Sequence, residues 1–229
     1  HWNALVTHDD NGNRLFTDAD LDVLHKGALN ACDANDGLED GVIGGDPRTC
    51  NFDPNDVACK VGQKSGCLSA VQVEAAKKVY EGPVTSDGEK LSRYFPWYPA
   101  LPGSEMAEKV VGSREATQDF FRLFMIPGRS HCYQGAGAAS GDFLSALEEW
   151  VEKDKAPDMI VGYHPVESGS VEGRESRVAD DTSIDANTSV PERYTFSRPH
   201  FPYPLWARYR GSGDPNDYRS FEAVDPEKQ

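Results

Sequence analysis

The sequence predicts an α/β fold joined to a cross-linked, loop-rich region, on three observations. Residues 120–163 read as strand, loop, helix, strand, an alternation typical of α/β units. Four of the five cysteines, Cys32, Cys50, Cys59 and Cys67, fall close together among Gly, Pro and Asp, as in regions held by disulfides. The 229 residues include 21 Gly and 15 Pro, so turns and loops occupy much of the chain. The length suits one large or two small domains.

Residues 17–31, TDADLDVLHKGALNA, have Thr17 as a candidate N-cap. Leu21, Leu24, Ala28 and Ala31 recur at helical spacing, which predicts a helix. Residues 32–68 show no periodicity. A second helix is expected over 69–81, capped by Ser69 and stopped by Gly82-Pro83. Residues 83–105 carry four prolines among aromatics and read as an extended surface connection. Residues 120–126, charged only at Arg122, read as a buried strand. The clearest helix covers 141–155, with Phe143, Leu144, Leu147, Trp150 and Val151 on one face. A short strand is expected over 158–163. Residues 165–192 are polar and acidic and read as a loose loop. The C-terminal stretch is aromatic and turn-rich, and the chain has no internal repeat.

A net charge of −15 argues against nucleic acid, whose phosphates need clustered Lys and Arg. It argues equally against docking on an anionic membrane. No apolar run reaches the eighteen residues of a membrane span, and mean hydropathy is −0.61. The chain begins HWNALV, with no Met and no signal pattern, as expected of a mature or cut product.

Three features carry chemistry. The clustered cysteines suit two disulfides, and hence an oxidising compartment, secreted or periplasmic. A zinc site is the competing reading, although no Cys-x-x-Cys pair occurs and His25 is the nearest histidine. The acidic stretch CDANDGLEDGVI, residues 32–43, places Asp33, Asp36 and Asp40 close together. Calcium takes six to eight oxygens in a flexible shell, and three carboxylates with backbone carbonyls could wrap one ion. The EF-hand template does not fit, because the twelfth position from Asp33 is Gly44. A solvated acidic turn is the alternative. Third, GRSHCYQGAG, residues 128–137, sets His131 beside Cys132 directly after the apolar run. A general base needs a rigid platform on one side and open space on the other, and a strand end followed by a glycine-rich loop supplies both. A lone histidine is nevertheless more often structural. His25 reads as a helix surface or packing residue, and His8, His164 and His200 as loop residues. Phe95, Trp97 and Tyr98 suit either packing or an aromatic pocket.

Five segments together resemble the tannase/feruloyl esterase family: LHKGALNACDANDGLEDGVIGGDPRTCNFDP, CLSAVQVEAAKKVYEGPV, ATQDFFRLFMIPGRSHC, ALEEWVEKDKAPDMIVG and YPLWARYRGSGDPNDYRSF. The resemblance implies an α/β-hydrolase core with a disulfide-rich, calcium-binding lid. Residues 1–105 would be part of that lid and 106–229 the C-terminal part of the core. It implies structural Ca²⁺ held by the carboxylates of Asp33, Asp36 and Asp40 and the carbonyls of Leu38 and Val42. It implies the bridges Cys32–Cys50 and Cys59–Cys67, and His131 as the catalytic histidine. Cys132 would pair with a cysteine preceding the nucleophilic serine. The implied activity is Ser-His-Asp hydrolysis of aromatic esters such as gallates and hydroxycinnamates.

No G-x-S-x-G or Cys-Ser-x-Gly-Gly segment is present in these residues, so the nucleophile elbow lies outside them. The Trp-Ala-Asp-Pro-like segment of the acidic triad member is absent too. The intervening family residues are expected between Glu105 and Met106. Ser130 stands where the family usually has Gly and is not read as a nucleophile. The chain by itself is expected to be inactive, with a second polypeptide segment linked through Cys132 as its partner. The alternative is a non-catalytic, calcium-stabilised accessory or binding fragment derived from such an esterase.

Overall fold

A computed structural model describes residues 2–46, 49–85, 87–88, 101–129, 135–166 and 194–228; the side chains of residues 101–105 and 227 are not included. The chain forms two compact units. One comprises His1–Cys32 and Asn51–Phe121, the other Asp33–Cys50 and Arg122–Gln229. The acidic loop, grouped by sequence with residues 1–105, therefore belongs to the same unit as the C-terminal half.

In the first unit, helix α1 spans Trp2–Val6, α2 Asp18–Cys32, α3 Ala70–Glu81, α4 Leu101–Val111 and α5 Arg114–Gln118. The α2 start is closed by a reciprocal pair: Asp20 N–H donates to Thr17 Oγ1 (3.3 Å) and Thr17 N–H to Asp20 Oδ2 (2.8 Å). Ser69 and Gln72 form the same capping box at α3, and Gly82 ends that helix. These caps satisfy backbone N–H groups that a first helical turn leaves without partners. Gln72 then ties the helices together, its side-chain amide donating to Leu15 O (2.8 Å) and Asp20 Oδ2 (3.0 Å). The core is Phe16, Leu68, Val73, Ala75 and Ala76, with Val23, Leu24 and Val57 packed around it. Gly27 sits inside α2 because a Cβ there would meet Phe52 and Val57 at 2.7 Å. Leu21, expected on the buried face, is exposed.

In the second unit, helix α6 spans Phe143–Lys153, β1 Ile160–Pro165, β2 Tyr194–His200, β3 Trp206–Tyr209 and β4 Phe221–Val224. Strands β1 and β2 pair antiparallel, Ile160 opposite His200 and Tyr163 opposite Ser197. Strands β3 and β4 pair antiparallel, Trp206 opposite Val224. Asp142 caps α6 by accepting from Ser145 N–H, and Asp154 ends it in the left-handed conformation.

Several expectations are corrected. Residues 120–126 are not a strand: Phe124 makes one isolated antiparallel bridge to Pro202, and Phe120 and Phe121 are exposed. The apolar run has no second neighbouring strand among the described residues, and without a ladder hydrophobicity alone does not make a strand. The strand–loop–helix–strand pattern consequently forms no parallel pair there. Residues 101–105 are helical, not extended, and α4 runs unbroken across Glu105 and Met106. The aromatic C-terminal stretch, read as turns, contains β2, β3 and β4. His164 and His200 are strand residues rather than loop residues. The α6 face forms as a helix face, but Phe143, Leu144, Leu147 and Val151 remain exposed. Phe95, Trp97 and Tyr98 lie outside the described residues, as does most of 165–192.

His200 is buried, and its Nε2–H donates to Ala138 O at 2.7 Å. Burial holds its pKa below the ordinary imidazole value, and the nearby Arg198 charge adds to this. The unfolded chain takes up a proton near pH 6.5 and the fold resists it. The resulting stability is complete above that pH and declines as pH falls below it. Leu at position 200 is expected to cost about 1–3 kcal/mol at pH 7.5, by leaving Ala138 O buried and unpaired. That cost shrinks at pH 5.5, and urea denaturation at the two pH values measures it.

Candidate functional site

His131 and Cys132 lie in residues 130–134, outside the described residues. The structure does describe the residues on either side of this segment. Its entrance and exit meet: Gly137 N–H donates to Gly128 O at 3.1 Å. The approach is closer than side chains allow. A Cβ on Gly137 would meet Pro127 O at 2.0 Å, and one on Gly135 would meet Gly128 O at 2.1 Å. Gly128 and Gly135 also have φ of 68° and 120°, which glycine alone adopts without strain. The glycines of GRSHCYQGAG thus form a closed neck.

Both sides of the neck are fastened. Upstream, Tyr203 N–H donates to Leu123 O at 2.7 Å. The Arg122 guanidinium donates to Asp158 (2.7 Å) and Pro157 O (2.9 Å), and lies over the Trp150 ring. Downstream, Ser140 and Tyr163 exchange backbone hydrogen bonds at 3.0 and 2.6 Å. Two strand histidines bind the exit: His164 Nδ1–H donates to Gly137 O (3.1 Å), and His200 Nε2–H to Ala138 O. A carbonyl only accepts, so both tautomers are fixed. His164 also stacks on Phe196. Gly162 admits this arrangement, because a Cβ there would meet Ala138 O at 2.0 Å and His200 Nε2 at 2.3 Å. The residues on either side of 130–134 are thus cross-braced by loop and strand contacts, where sequence reasoning expected a strand end.

The acidic loop lies against the same neck: a Cβ on Gly128 would meet the Val42 side chain at 2.9 Å. A 3-10 turn, Asp33–Asp36, opens the loop, and Gly37 follows at φ 88°, where a Cβ would come within 3.0 Å of Tyr209 O. Each carboxylate has one oxygen tethered to the loop backbone. Asp33 Oδ2 accepts from Gly41 N–H (3.0 Å), Asp36 Oδ1 from Leu38 N–H (3.0 Å) and Asp40 Oδ1 from Val42 N–H (3.1 Å). The remaining oxygens differ. Asp33 Oδ1 is buried with no hydrogen-bond partner. Asp40 Oδ2 accepts from Arg198 at 2.5 Å. The Asp36 carboxyl is buried, which raises its pKa to about 7, with the Asp40 and Asp33 charges adding to the rise.

A buried, partnerless carboxylate oxygen beside a carboxyl that resists ionisation is costly unless a cation joins them. With the Leu38 and Val42 carbonyls, the donors are all hard oxygens, which fits calcium in kind. Among the described residues no three His, Cys, Asp or Glu side chains are gathered closely enough to hold a metal as they stand.

Cys59 and Cys67 form a disulfide, and Cys32 and Cys50 are disulfide-bonded. His25 lies on α2. His8 bonds locally, through Nδ1, to Ala4 O. Arg198, His164 and His200 escaped sequence reasoning, since each acts on residues remote in sequence.

The family profile described as tannase and feruloyl esterase matches residues 1–114 and 103–224. A mono(2-hydroxyethyl) terephthalate hydrolase of Piscinibacter sakaiensis is 23% identical, over 93% of this chain and 53% of its own length. That alignment runs over 341 positions, so the relative carries more than a hundred residues opposite gaps in this chain. An esterase of Aspergillus oryzae superposes with a TM-score of 0.71 at 19% identity, over 97% of this chain and 60% of that one. Feruloyl esterase B of the same organism gives 0.64 at 19%, with the same coverage. The chain spans little more than half the length of these proteins.

Ala at position 137 is expected to force the neck open, since backbone rather than a yielding side chain opposes the new methyl. The expected destabilisation is about 2–4 kcal/mol, read by thermal denaturation, with faster proteolytic cleavage within residues 128–137.

Proposed function

Since the chain belongs to the tannase and feruloyl esterase family, we propose that it is the histidine-bearing portion of a carboxylic ester hydrolase acting on aromatic esters by a Ser-His-Asp mechanism. One observation carries the reading. The family profile covers nearly the whole chain, and the described residues that flank His131 in sequence are tied to β1 and β2. Such anchoring can hold an imidazole at fixed distance from a nucleophile, as proton transfer demands.

The serine and the acid belong to polypeptide outside these 229 residues. The two stretches matched by the profile overlap at 103–114, which supports placing the unmatched family residues near Glu105 and Met106. In the complete enzyme His131 takes the serine proton as the hydroxyl attacks the ester carbonyl. It then returns the proton to the departing alcohol, while the acid orients the ring and backbone N–H groups stabilise the oxyanion. Cys132, bridged to a cysteine beside the serine, would hold base and nucleophile together. The aromatic substrate class rests on relatives named for terephthalate and ferulate.

Calcium would be held by Asp33, Asp36, Asp40 and the carbonyls of Leu38 and Val42. It would draw the three carboxylates together, neutralise them and stiffen the loop that packs on the neck through Val42. The disulfides fit a secreted or periplasmic protein, and no described helix is long and apolar enough to cross a membrane.

In the full-length protein carrying this chain, His131→Ala is expected to reduce hydrolysis of methyl ferulate or methyl gallate by at least about a thousandfold while Tm stays within a few degrees. Retained activity overturns the assignment. A folded full-length protein with no esterase activity in either form favours the accessory-fragment alternative. Removal of calcium with EGTA is expected to lower Tm by several degrees, restored by added Ca²⁺; an unchanged Tm contradicts the cation site.

A further inference from the structure

Arg198 lies in β2, remote in sequence from the acidic loop, yet it is built into that loop. Its guanidinium sits between two aromatic faces, 4.5 Å from the Phe196 ring centroid and 4.7 Å from that of Phe221. Nη1 donates to Ser197 O (2.8 Å) and Pro215 O (2.9 Å), which leaves Nη2 for Asp40 Oδ2. The side chain is only 16% exposed. Rings and carbonyls therefore hold the guanidinium in place whether or not Asp40 is bound to it.

We infer that Arg198 is the internal counter-cation of the acidic loop. It neutralises Asp40 when the loop holds no metal and yields that carboxylate when a divalent cation binds. The inference rests on the calcium reading above. The three carboxylates are tethered alike through one oxygen, but only Asp40 has its second oxygen engaged by a fixed positive charge. That of Asp33 has no partner. Binding of a divalent cation exchanges one carboxylate contact for another. The guanidinium, unable to withdraw, remains close to the new charge and repels it. Arg198 thus stabilises the metal-free loop and weakens its hold on the metal.

The test is calorimetric titration of the full-length protein with calcium chloride alone, unaltered and as Arg198→Gln, beside melting curves in EGTA. The variant is expected to bind Ca²⁺ about tenfold more tightly, with a lower Tm in EGTA and a larger rise on calcium addition. Equal or weaker binding by the variant overturns the role of Arg198 and leaves the calcium site standing. Absence of binding by both proteins overturns the calcium reading, and this inference with it. The unaltered protein supplies a second measurement should the variant fail to fold. The Arg198 Nη2–H proton signals, which report the bond to Asp40, are expected to lose their hydrogen-bonded downfield position on calcium addition. Signals that stay in place overturn the exchange.

Discussion

The second unit depends on a backbone closure that only glycine permits. At the neck of residues 128–137, carbonyl and N–H groups approach to distances that leave no room for a Cβ at positions 135 and 137. The strand histidines then hold the exit by donating to successive carbonyls, Gly137 O and Ala138 O. Removing water from those carbonyls is tolerable because each gains a fixed donor. The antiparallel pair β1–β2 and the closed neck are thus one construction.

That construction links the two chemistries proposed for the unit. The acidic loop touches the neck at Gly128 through Val42, and it touches β2 through the Asp40–Arg198 ion pair. Three carboxylates in one short loop repel one another, and burying Asp36 makes the repulsion worse. Arg198 relieves it at Asp40. A cation would relieve it at all three. Closure of the neck and neutralisation of the acidic loop therefore bear on the same few residues.

The sequence made the helices with strong caps legible. Ser69 with Gly82-Pro83, and Thr17 before an apolar spacing, marked α3 and α2 to within a residue, because capping and periodicity are local signals. The glycines around His131 were visible as a composition, and their purpose emerges only from the distances at the neck. What stayed hidden depends on partners remote in sequence. Residues 120–126 have the composition of a buried strand and lack the ladder that would make them one. His164 and His200 read as loop residues because Pro165 and Pro199 mask strands whose pairing is with each other. Arg198 has no local signature at all, since its partners lie at positions 40, 215 and 221. The apolar face of α6 was correctly read as a helix face, but Phe143, Leu144, Leu147 and Val151 stay exposed. That is understandable in a chain spanning little more than half the length of its relatives.

The central claim is that the loop above this neck presents a catalytic base to a serine carried by other polypeptide. Non-reducing peptide mapping of the full-length protein, after labelling with a fluorophosphonate, tests it most directly. The account predicts that the Cys132 peptide is disulfide-linked to a peptide whose cysteine directly precedes the labelled serine. A free thiol at Cys132, with the label elsewhere or absent, contradicts it.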